Sequence, residues 1–397
     1  MRIAMIDPAN LTPFYTYALC DSLAKNNCKV SFYSTEYDND LSLKSPDSFE
    51  FFDHYFKKLR NIQRNGNKTL RKLCRGLSYY FDHRSAANKI IENKTDVVHI
   101  QWAMLPLLDI KFILKLKNSG IAVILTVHDA DPLFPMGSLK NITSLYQLVD
   151  AIVVHNQTAA ADILRIYPSI NANNIHIIPH GPLQAQDIPT GKTQDDARSA
   201  LGIPVNADVI CFFGEIKHYK GLDYLVDACL KLKSSRPDLF LLIAGKPGDE
   251  SDIPDLSPLI QKNIQYRADF GFVANDDVWK YYLAADIIAL PYRQISQSGV
   301  LFSALAHERY VICSNVGALP EILDEVGGGC TFPKGEVSLL AEMIDQKLED
   351  KTSLFSDAKR AKNNMDKLYN WPSIAEKTTQ LYRSLAIKTQ TPVATRN

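Results

Sequence analysis

The stretch Ala284–Leu323 constrains the fold most strongly, because it places a short loop and a helix between two apolar strands. Its sequence is AADIIALPYRQISQSGVLFSALAHERYVICSNVGALPEIL. The pattern predicts strands at Ile287–Leu290 and Tyr310–Cys313, with a helix near Val300–His307 between them. The N–H groups of a first helical turn have no partner within the helix, and the helix dipole favours negative charge there. The stretch therefore predicts a place to hold phosphate.

The turn before this helix is short, and it ends in Ser298-Gly299. Glycine has no side chain and adopts backbone conformations closed to other residues, so the turn can approach a ligand closely. We therefore predict that the ligand is bound by a continuous run of turn and helix residues, namely Ser296, Gln297, Ser298, Gly299 and Val300.

The same alternation of strands and helices runs through the chain in two blocks. The first block begins with a strand at Arg2–Ile6, and the second begins with a strand at Asp208–Phe213. A chain of 397 residues exceeds one ordinary core, and regular alternation is typical of a parallel sheet covered by helices on both faces. We predict α/β architecture with two doubly wound, Rossmann-like domains at residues 1–183 and 207–365, a linker at 184–206 and a final helix at 366–388.

Composition excludes several classes of protein. The 44 basic and 44 acidic residues balance, so the whole chain does not bind nucleic acid by charge. The seven cysteines are scattered without a CxxC or Cys/His cluster, which argues against structural zinc and against a disulfide framework. No apolar run is typical of a signal peptide or a membrane span. We expect a cytoplasmic protein.

One segment of the first block is strongly basic. Between residues 54 and 89, ten lysines and arginines face Asp82 as the acidic counterpart, and aromatic residues are interleaved with them. Two interpretations of Lys57–Arg84 remain open: a solvated pair of helices, or a patch that binds an anionic membrane surface. Nucleic acid is a third ligand for such a run, but no recognised nucleic-acid motif accompanies it.

A second loop of the later block carries positive charge. Gly214 follows the strand at Asp208–Phe213, and Lys217, Lys220 and Gly221 precede the next helix. Loops at the carboxyl ends of strands in one sheet converge, so this loop and the Ser298 turn are predicted to share a ligand. Fixed positive charge at this place would stabilise a diphosphate leaving group as its negative charge grows.

These motifs, in this order, resemble the donor-binding segments of retaining glycosyltransferases of the GT-B fold, family 4. The resemblance is to bacterial members with a Ser-Gln-Ser-Gly turn, and it covers nearly the full length of the chain. Lys220-Gly221 match the family's Lys-Gly pair, and Glu321 matches its acidic residue after the second strand. The resemblance implies an active site in a cleft between the two domains and a C-terminal helix that crosses back to the first domain.

The chain departs from the family pattern at three positions. Glu215 stands where the family usually has an arginine, and Lys217 is the candidate replacement for that cation. Ile295 and Ser303 fall where the family has a pair of glutamates that contact the ribose and the sugar.

Two histidines in the first block match family segments. His128 ends Thr126-Val127-His128, and the resemblance implies that it lies near the donor sugar and the acceptor, so we predict a catalytic role for it together with Lys220. His180 is interpreted as shaping the hinge. Asp129 and Asp131 are assigned to the surface or to the acceptor, and no metal site is predicted.

The resemblance implies transfer of a hexose from a nucleoside-diphosphate sugar, with retention of anomeric configuration. The implied acceptor is a glycan or polyprenyl-linked, in bacterial surface polysaccharide assembly, with no cofactor and no nucleic-acid partner. The enzyme would then work at the inner face of the plasma membrane as a peripheral protein. Two alternatives stay open: a nucleotide-sugar epimerase of the same fold, and a non-catalytic nucleotide-sugar-binding partner of another transferase, for which Ile295 and Ser303 argue.

Overall fold

A computed structural model describes residues 1–36, 47–59, 68–130, 138–181 and 188–390, with the side chains of 68–72 and 388–390 excepted. The chain divides into two compact units. The first unit comprises Met1–Gly181 and Tyr369–Asn397, and the second comprises Pro182–Leu368.

The first unit is built on a seven-stranded parallel sheet in the order β3-β2-β1-β4-β5-β6-β7. Its strands are β1 Arg2–Asp7, β2 Lys29–Ser34, β3 Glu50–Asp53, β4 Val97–Ile100, β5 Ala122–Thr126, β6 Ala151–Val154 and β7 Ile175–Ile177. Its helices are α1 Pro13–Lys25, α2 Lys68–Glu92, α3 Pro106–Lys117, α4 Leu139–Leu148, α5 Gln157–Ile166 and, from the C-terminal segment, α14 Trp371–Gln390.

Strand β1 shows why helices cover both faces of this sheet. Ile3 and Met5 belong to one core with residues of α1 and α14, whereas Ala4 and Ile6 belong to the opposite core with residues of α2 and α3. Successive side chains of a strand point to opposite faces, so a strand that is apolar at every position must be covered on both sides.

The C-terminal helix α14 is an integral part of the first unit and packs against α1. The Tyr382 hydroxyl lies 2.6 Å from Nδ1 of His99 on β4, and both side chains are buried. A methyl group added at Gly181 would lie 2.4 Å from the Trp371 ring, so only glycine permits this contact. The expected return of the final helix to the first domain is therefore confirmed.

The second unit contains a six-stranded parallel sheet in the order β10-β9-β8-β11-β12-β13. Its strands are β8 Asp208–Phe213, β9 Leu239–Gly245, β10 Gln265–Phe270, β11 Ile287–Leu290, β12 Tyr310–Ser314 and β13 Gly329–Phe332. Its helices are α6 Gln194–Ala200, α7 Leu222–Leu232, α8 Ser257–Gln261, α9 Val278–Ala284, α10 Gly299–Ala306, α11 Leu319–Val326, α12 Val337–Glu349 and α13 Lys351–Leu368. The predicted pair of doubly wound domains is confirmed.

The segment predicted as a linker differs from the structure in its described part, residues 188–206. Helix α6 belongs to the second unit and packs against α9. Arg198 of α6 forms a buried ion pair with Asp286, 3.0 Å to each carboxylate oxygen, and Lys351 lies 3.0 Å from the same carboxylate. Removing one partner of a buried pair typically costs about 3–5 kcal/mol. The polar sequence of α6 therefore serves packing and charge pairing inside the unit.

Both sheets have a point at which the chain reverses its direction of strand addition. In the first unit this point lies between β1 and β4, and in the second it lies between β8 and β11. Ligands of open α/β sheets bind outside the carboxyl ends of the strands at such points. Within the described residues, no helix combines the length and apolar content needed to cross a bilayer.

Candidate functional site

The two loops predicted to share a ligand meet at the reversal point of the second unit. The β8–α7 loop follows Phe213, and the β11–α10 loop follows Leu290 on the neighbouring strand. The first loop contains a 3₁₀ turn at His218–Lys220, in which the Lys220 N–H donates to the Lys217 carbonyl at 2.8 Å. Both loops therefore leave carboxyl ends of adjacent strands, as the sequence predicts.

Gly221 fixes how closely these loops approach one another. Its φ of 69° is left-handed, and a Cβ there would lie 2.0 Å from the Pro291 carbonyl oxygen. Gly245 at the end of β9 is equally confined, because its Cβ would lie 1.8 Å from the Gly214 carbonyl oxygen. Close backbone contacts at Gly221 and Gly245 therefore bring the neighbouring loops together, and no other residue type fits at these two positions.

Lys220 lies beside the start of helix α10. A methyl group at Gly214 would lie 3.6 Å from Lys220 Nζ and 3.1 Å from Val300 Cγ2, so one small residue separates the ammonium group from the first turn of the helix. The same Nζ lies 5.8 Å from the centre of the Tyr292 ring. Burial lowers the pKa of Lys220. The structure therefore brings together Gly214, Lys220 and Val300.

Ser298 caps helix α10 and joins it to the same cluster. Its side chain accepts the Leu301 N–H at 3.4 Å, and its hydroxyl lies 3.4 Å from the Tyr292 hydroxyl. The helix begins at Gly299 and has no acidic residue in its first turn. A helix start with a neighbouring ammonium group and no carboxylate attracts anions. The arrangement suits a phosphate or diphosphate group.

Lys217, the candidate replacement for the family's arginine, forms an ion pair in the structure. Its Nζ lies 3.1 Å from the Glu215 carboxylate, and hydrogen bonding to that carboxylate raises the pKa of Lys217. Its carbon chain packs on Gly248, where a Cβ would lie 3.0 Å from Lys217 Cε. Glu215 thus offsets the charge of the lysine beside it.

The remaining predicted residues lie in the β11–α10 loop and at the start of helix α11. A Cβ at Gly317, whose φ is 55°, would lie 1.9 Å from the Ile295 carbonyl oxygen, and the Ala318 N–H donates to the Ser296 carbonyl at 3.2 Å. Gln297 is partly exposed on the same loop, and Glu321 lies in the first turn of α11. The start of α11 therefore adjoins the turn that precedes α10.

Arg293 connects the two loops and was not among the predicted site residues. Its guanidinium donates to both Asp223 carboxylate oxygens, at 2.8 and 2.5 Å, and to the His218 carbonyl at 2.7 Å. It also lies 3.9 Å from the centre of the Tyr224 ring. Two-point pairing with a carboxylate is specific to arginine geometry. The sequence feature that could have identified Arg293 as a site residue is its position just past the carboxyl end of β11.

Replacing Arg293 by glutamine is expected to loosen the Lys220 loop. The partly exposed ion pair with Asp223 contributes up to about 1 kcal/mol to folding, so the loss of stability is small. Ligand affinity should fall severalfold, because the loop no longer holds Lys220 in place. Thermal denaturation and ligand titration measure the two effects. Arg267→Gln, which removes a similar pair with Asp269, is the control, and equal affinity loss in both variants would contradict the role.

In the first unit, His128 belongs to a chain of hydrogen bonds at the carboxyl ends of β4, β5 and β6. Its Nδ1 lies 3.2 Å from His155 Nε2, its Nε2 lies 3.1 Å from the Gln101 side chain, and its ring stacks on Trp102 at 4.9 Å. His155 Nδ1 lies 3.0 Å from the Ile178 carbonyl oxygen. Both ring nitrogens of His128 therefore have partners within the protein.

The Ile178 carbonyl shows which nitrogens in this series of hydrogen bonds carry protons. A carbonyl only accepts, so His155 Nδ1 carries the proton and its Nε2 accepts from His128 Nδ1. Burial lowers the pKa of His128 well below its usual value, so its Nε2 is an acceptor. In the structure the Gln101 amide oxygen faces this nitrogen at 3.1 Å and the Gln101 NH₂ donates to Met5 Sδ at 3.0 Å. Because a neutral Nε2 needs a donor, we assign the amide the reverse orientation, in which its NH₂ faces His128.

Trp102 links this chain to the β1–α1 loop. Its indole N–H donates to the Thr12 hydroxyl at 3.1 Å, and the Asp7 carboxylate accepts the Leu11 and Thr12 N–H groups at 3.1 and 3.3 Å. Burial raises the pKa of Asp7 to about 6. The reversal point of the first unit is therefore lined by a partly exposed tryptophan and a buried carboxyl. Of this group, only His128 was predicted as a catalytic residue.

The buried imidazoles make stability depend on pH. Burial lowers the pKa of His99 to about 3 and that of His155 to about 4, so unfolding takes up protons below pH 6.5 and stability falls on acidification. Asp7, whose pKa is raised, opposes this trend as one group against four buried histidines, His99, His128, His155 and His180. Denaturant titration at pH 5 and 7.5 should show that His99→Gln loses about 2 kcal/mol less stability than wild type between these two pH values, because the linkage of about 1.4 kcal/mol per pH unit acts only below about pH 6.5. An equal loss of stability in both proteins would contradict it.

His180 packs within the same aromatic group, with its ring centre 4.5 Å from that of Tyr15, and burial lowers its pKa to about 3. Asp129 is partly exposed, and Asp131 lies outside the described residues. In the part of the chain that the structure describes, no group of three or more His, Cys, Asp or Glu side chains is arranged to hold a metal ion.

Two families match the chain. The family described as Glycosyltransferase Family 4 matches residues 14–181, and the family described as Glycosyl transferases group 1 matches residues 207–350. Among curated relatives, the D-inositol 3-phosphate glycosyltransferase of Corynebacterium urealyticum is 26% identical over 59% of the chain. The alpha-maltose-1-phosphate synthase of Mycolicibacterium smegmatis is 23% identical over 67% of the chain. These matches span 57% and 74% of the relatives' own lengths.

Solved structures share the fold over almost the whole chain. Sucrose-phosphate synthase from Thermosynechococcus elongatus aligns over 98% of this chain and 100% of its own, with a TM-score of 0.70 and 17% identity. The Anabaena protein HepE in complex with UDP aligns over 97% of this chain and 100% of its own, with a TM-score of 0.73 and 14% identity.

Proposed function

Because the chain belongs to the family 4 glycosyltransferases of the GT-B fold, we propose that it transfers a sugar from a nucleoside-diphosphate sugar with retention at the anomeric carbon. The observation that carries the proposal is the convergence of Lys220 with the start of helix α10 around Gly214. A diphosphate is the part of such a donor that this arrangement suits. HepE has been crystallised with UDP and with UDP-glucose, which supports the same class of donor here.

The second unit would act mainly on the leaving group. When the bond between the anomeric carbon and the diphosphate breaks, both bonding electrons go to the phosphate oxygen. Lys220 and the N–H groups at the start of α10 would stabilise that negative charge without needing to move. Tyr292 and Arg293 would keep Lys220 and Ser298 in place. No protein nucleophile is required by this proposal.

The charges at positions 215 and 217 would change how much positive charge the site offers to a diphosphate. The ion pair between Glu215 and Lys217 leaves Lys220 as the principal cation beside the helix start. This pair also favours the second candidate function, a non-catalytic nucleotide-sugar-binding partner, because it offsets a charge that family members use on the diphosphate. Turnover of a donor by the purified chain would exclude that candidate, and tight donor binding without turnover would select it.

The first unit would bind the acceptor. Trp102 is partly exposed at the reversal point of its sheet, with one face stacked on His128. Aromatic rings pair an apolar face with a polar edge, a combination suited to sugars. His128 would act by orienting Trp102 and the loop around it. We propose a glycan or polyprenyl-linked acceptor in surface polysaccharide assembly, and peripheral attachment to an anionic membrane.

A two-stage experiment tests the proposal. Thermal stability is first measured with a panel of nucleoside diphosphates, because a bound ligand raises stability by mass action. The sugar donors of the base that stabilises the chain are then supplied, and the anomeric configuration of any product is read by NMR. Retained configuration in an acceptor-dependent product supports the proposal. Product from the donor alone would select the epimerase, and stabilisation by no nucleotide would overturn donor binding.

A further inference from the structure

The outer face of helices α2 and α3 is unusually apolar for a surface. Seven large side chains there are 37–63% exposed: Leu73, Leu77, Tyr80 and Phe81 on α2, and Leu105, Leu107 and Leu114 at or on α3. We call this set the α2–α3 face. Its members on α2 recur at helical spacing, which places them on one stripe of the helix. Exposed apolar patches of this kind mark interaction surfaces.

A cavity opens between the same two helices. Its volume is about 180 Å³, and its described lining is Tyr80, His83, Arg84, Ala87, Leu108, Lys111, Phe112 and Lys115. These eight residues include three permanent cations and no carboxylate. Both His83 nitrogens are engaged, by Asp109 at 2.9 Å and by Tyr55 at 2.8 Å, so the cations determine what enters.

Among the described side chains of the basic run, Arg84 lines this cavity, whereas two others have partners elsewhere. Lys57 lies 3.6 Å from the Asp53 carboxylate, and the Arg75 guanidinium lies 5.0 Å from the Phe56 ring. Arg75 and Arg84 are nine positions apart, which places them on opposite sides of α2. Arg84 shares its side with the apolar stripe and with two lysines of the neighbouring helix.

The topology orients the α2–α3 face relative to the reversal point of the sheet. Helix α2 leads into β4 and α3 leads out of it, so the two helices run parallel, and Lys115 Nζ lies 2.5 Å from the Asn88 amide oxygen. Leu105 and Leu107 stand just past the carboxyl end of β4, beside Trp102. Leu105 and Leu107 are therefore at the edge of the sheet where ligands bind, and Leu114 lies farther along α3, between Lys111 and Lys115.

We propose that the α2–α3 face inserts shallowly into an anionic bilayer, and that Arg84, Lys111 and Lys115 bind the phosphate of one lipid headgroup in the cavity between the helices. This rests on the proposed function, because it supplies the surface from which a lipid-linked acceptor reaches Trp102. Apolar side chains at the lipid boundary and cations at headgroup level are the two contributions that hold a protein on such a surface.

Vesicle flotation of the full chain tests this, with phosphatidylcholine vesicles that contain or lack phosphatidylglycerol. Each cation near an anionic surface contributes about fivefold in binding, so Arg84→Gln/Lys111→Gln/Lys115→Gln should weaken binding more than tenfold. Leu77→Ser/Phe81→Ser should also release the chain. The matched controls are Lys29→Gln/Lys89→Gln/Lys94→Gln, whose lysines line a groove elsewhere on the unit, and Ile260→Ser/Phe272→Ser, whose side chains are even more exposed, in the second unit.

We call Arg84→Gln/Lys111→Gln/Lys115→Gln and Leu77→Ser/Phe81→Ser the face variants. Vesicle binding that requires phosphatidylglycerol and is lost only in these two variants supports the proposal. Equal binding to both vesicles, or wild-type binding by the face variants, would overturn it. Stabilisation by inorganic phosphate that is lost in Arg84→Gln/Lys111→Gln/Lys115→Gln, without vesicle binding by wild type, would identify a soluble phosphate ligand in the cavity and overturn the lipid. Thermal stabilisation by nucleotides, measured without vesicles, distinguishes the two proposals. If nucleotides do not stabilise wild type, the proposed donor site is wrong, whatever the vesicle result. If they stabilise the face variants as they stabilise wild type, the variants are folded.

Discussion

Lys220→Met is expected to lower kcat/KM for sugar transfer by about 10²–10³-fold, the usual effect of removing one preorganised group that stabilises developing charge. The ammonium group lies between Gly214, Val300 and the Tyr292 ring, at the start of a helix without acidic residues in its first turn. Burial lowers the pKa of this lysine, and the nearby Glu215 carboxylate only partly opposes that shift, so a bound diphosphate would gain a poorly solvated positive charge. Methionine keeps the length of the side chain and its packing against Tyr292.

The control for this variant is Lys246→Met, which removes an exposed lysine from the loop after the neighbouring strand β9. Initial rates over a range of donor concentrations separate kcat from KM, and thermal denaturation confirms that both variants fold. Because burial disfavours the charged lysine, Lys220→Met should be as stable as wild type or more stable. Less than a tenfold loss of kcat/KM would contradict the assigned role.

Gly221→Ala is expected to destabilise the second unit by about 2–4 kcal/mol, because it combines a left-handed backbone with a steric clash. The new Cβ would lie 2.0 Å from the Pro291 carbonyl oxygen, and backbone cannot yield as a flexible side chain does. The β8–α7 and β11–α10 loops would separate, so Lys220 and Ser298 would no longer converge. Donor affinity should fall together with stability.

Gly202→Ala is the matched control for the clash. Gly202 has φ of 65°, almost that of Gly221, but nothing lies within 4 Å of a Cβ there. That variant carries the cost of the left-handed backbone alone, about 1 kcal/mol. Chemical denaturation of both variants isolates the contribution of the contact with Pro291. Equal destabilisation by the two alanines would show that the loops are not held by this contact.

Much of the second unit could be predicted because its elements are locally encoded. Strand β11 was predicted with the bounds the structure has, and α10 begins one residue before the predicted start, since Ser298 caps it. The role of a polar segment was harder to predict. Residues 184–206 were predicted as a linker with a short helix because the sequence is polar and contains Pro189 and Gly191, whereas the arginine of that helix, α6, is buried against Asp286 inside the second unit.

The contacts that shape the candidate site depend on tertiary distances that spacing does not reveal. Arg293 reaches Asp223 across 70 positions of sequence, and His128 meets His155 across 27. No local pattern marks either pair. The basic run likewise predicted a charged surface, whereas position around α2 decides which side chains share a face. Composition identified the segment as basic, and position around helix α2 identified which of its side chains share one side of the helix.

Calorimetric titration asks whether Lys220 and the start of α10 together bind a diphosphate. Wild type and Lys220→Met are each titrated with a nucleoside diphosphate and with the matching nucleoside. We expect wild type to bind the diphosphate at least tenfold more tightly than the nucleoside, and Lys220→Met to lose most of this difference while its affinity for the nucleoside is unchanged. An equal preference for the diphosphate in both proteins would contradict it.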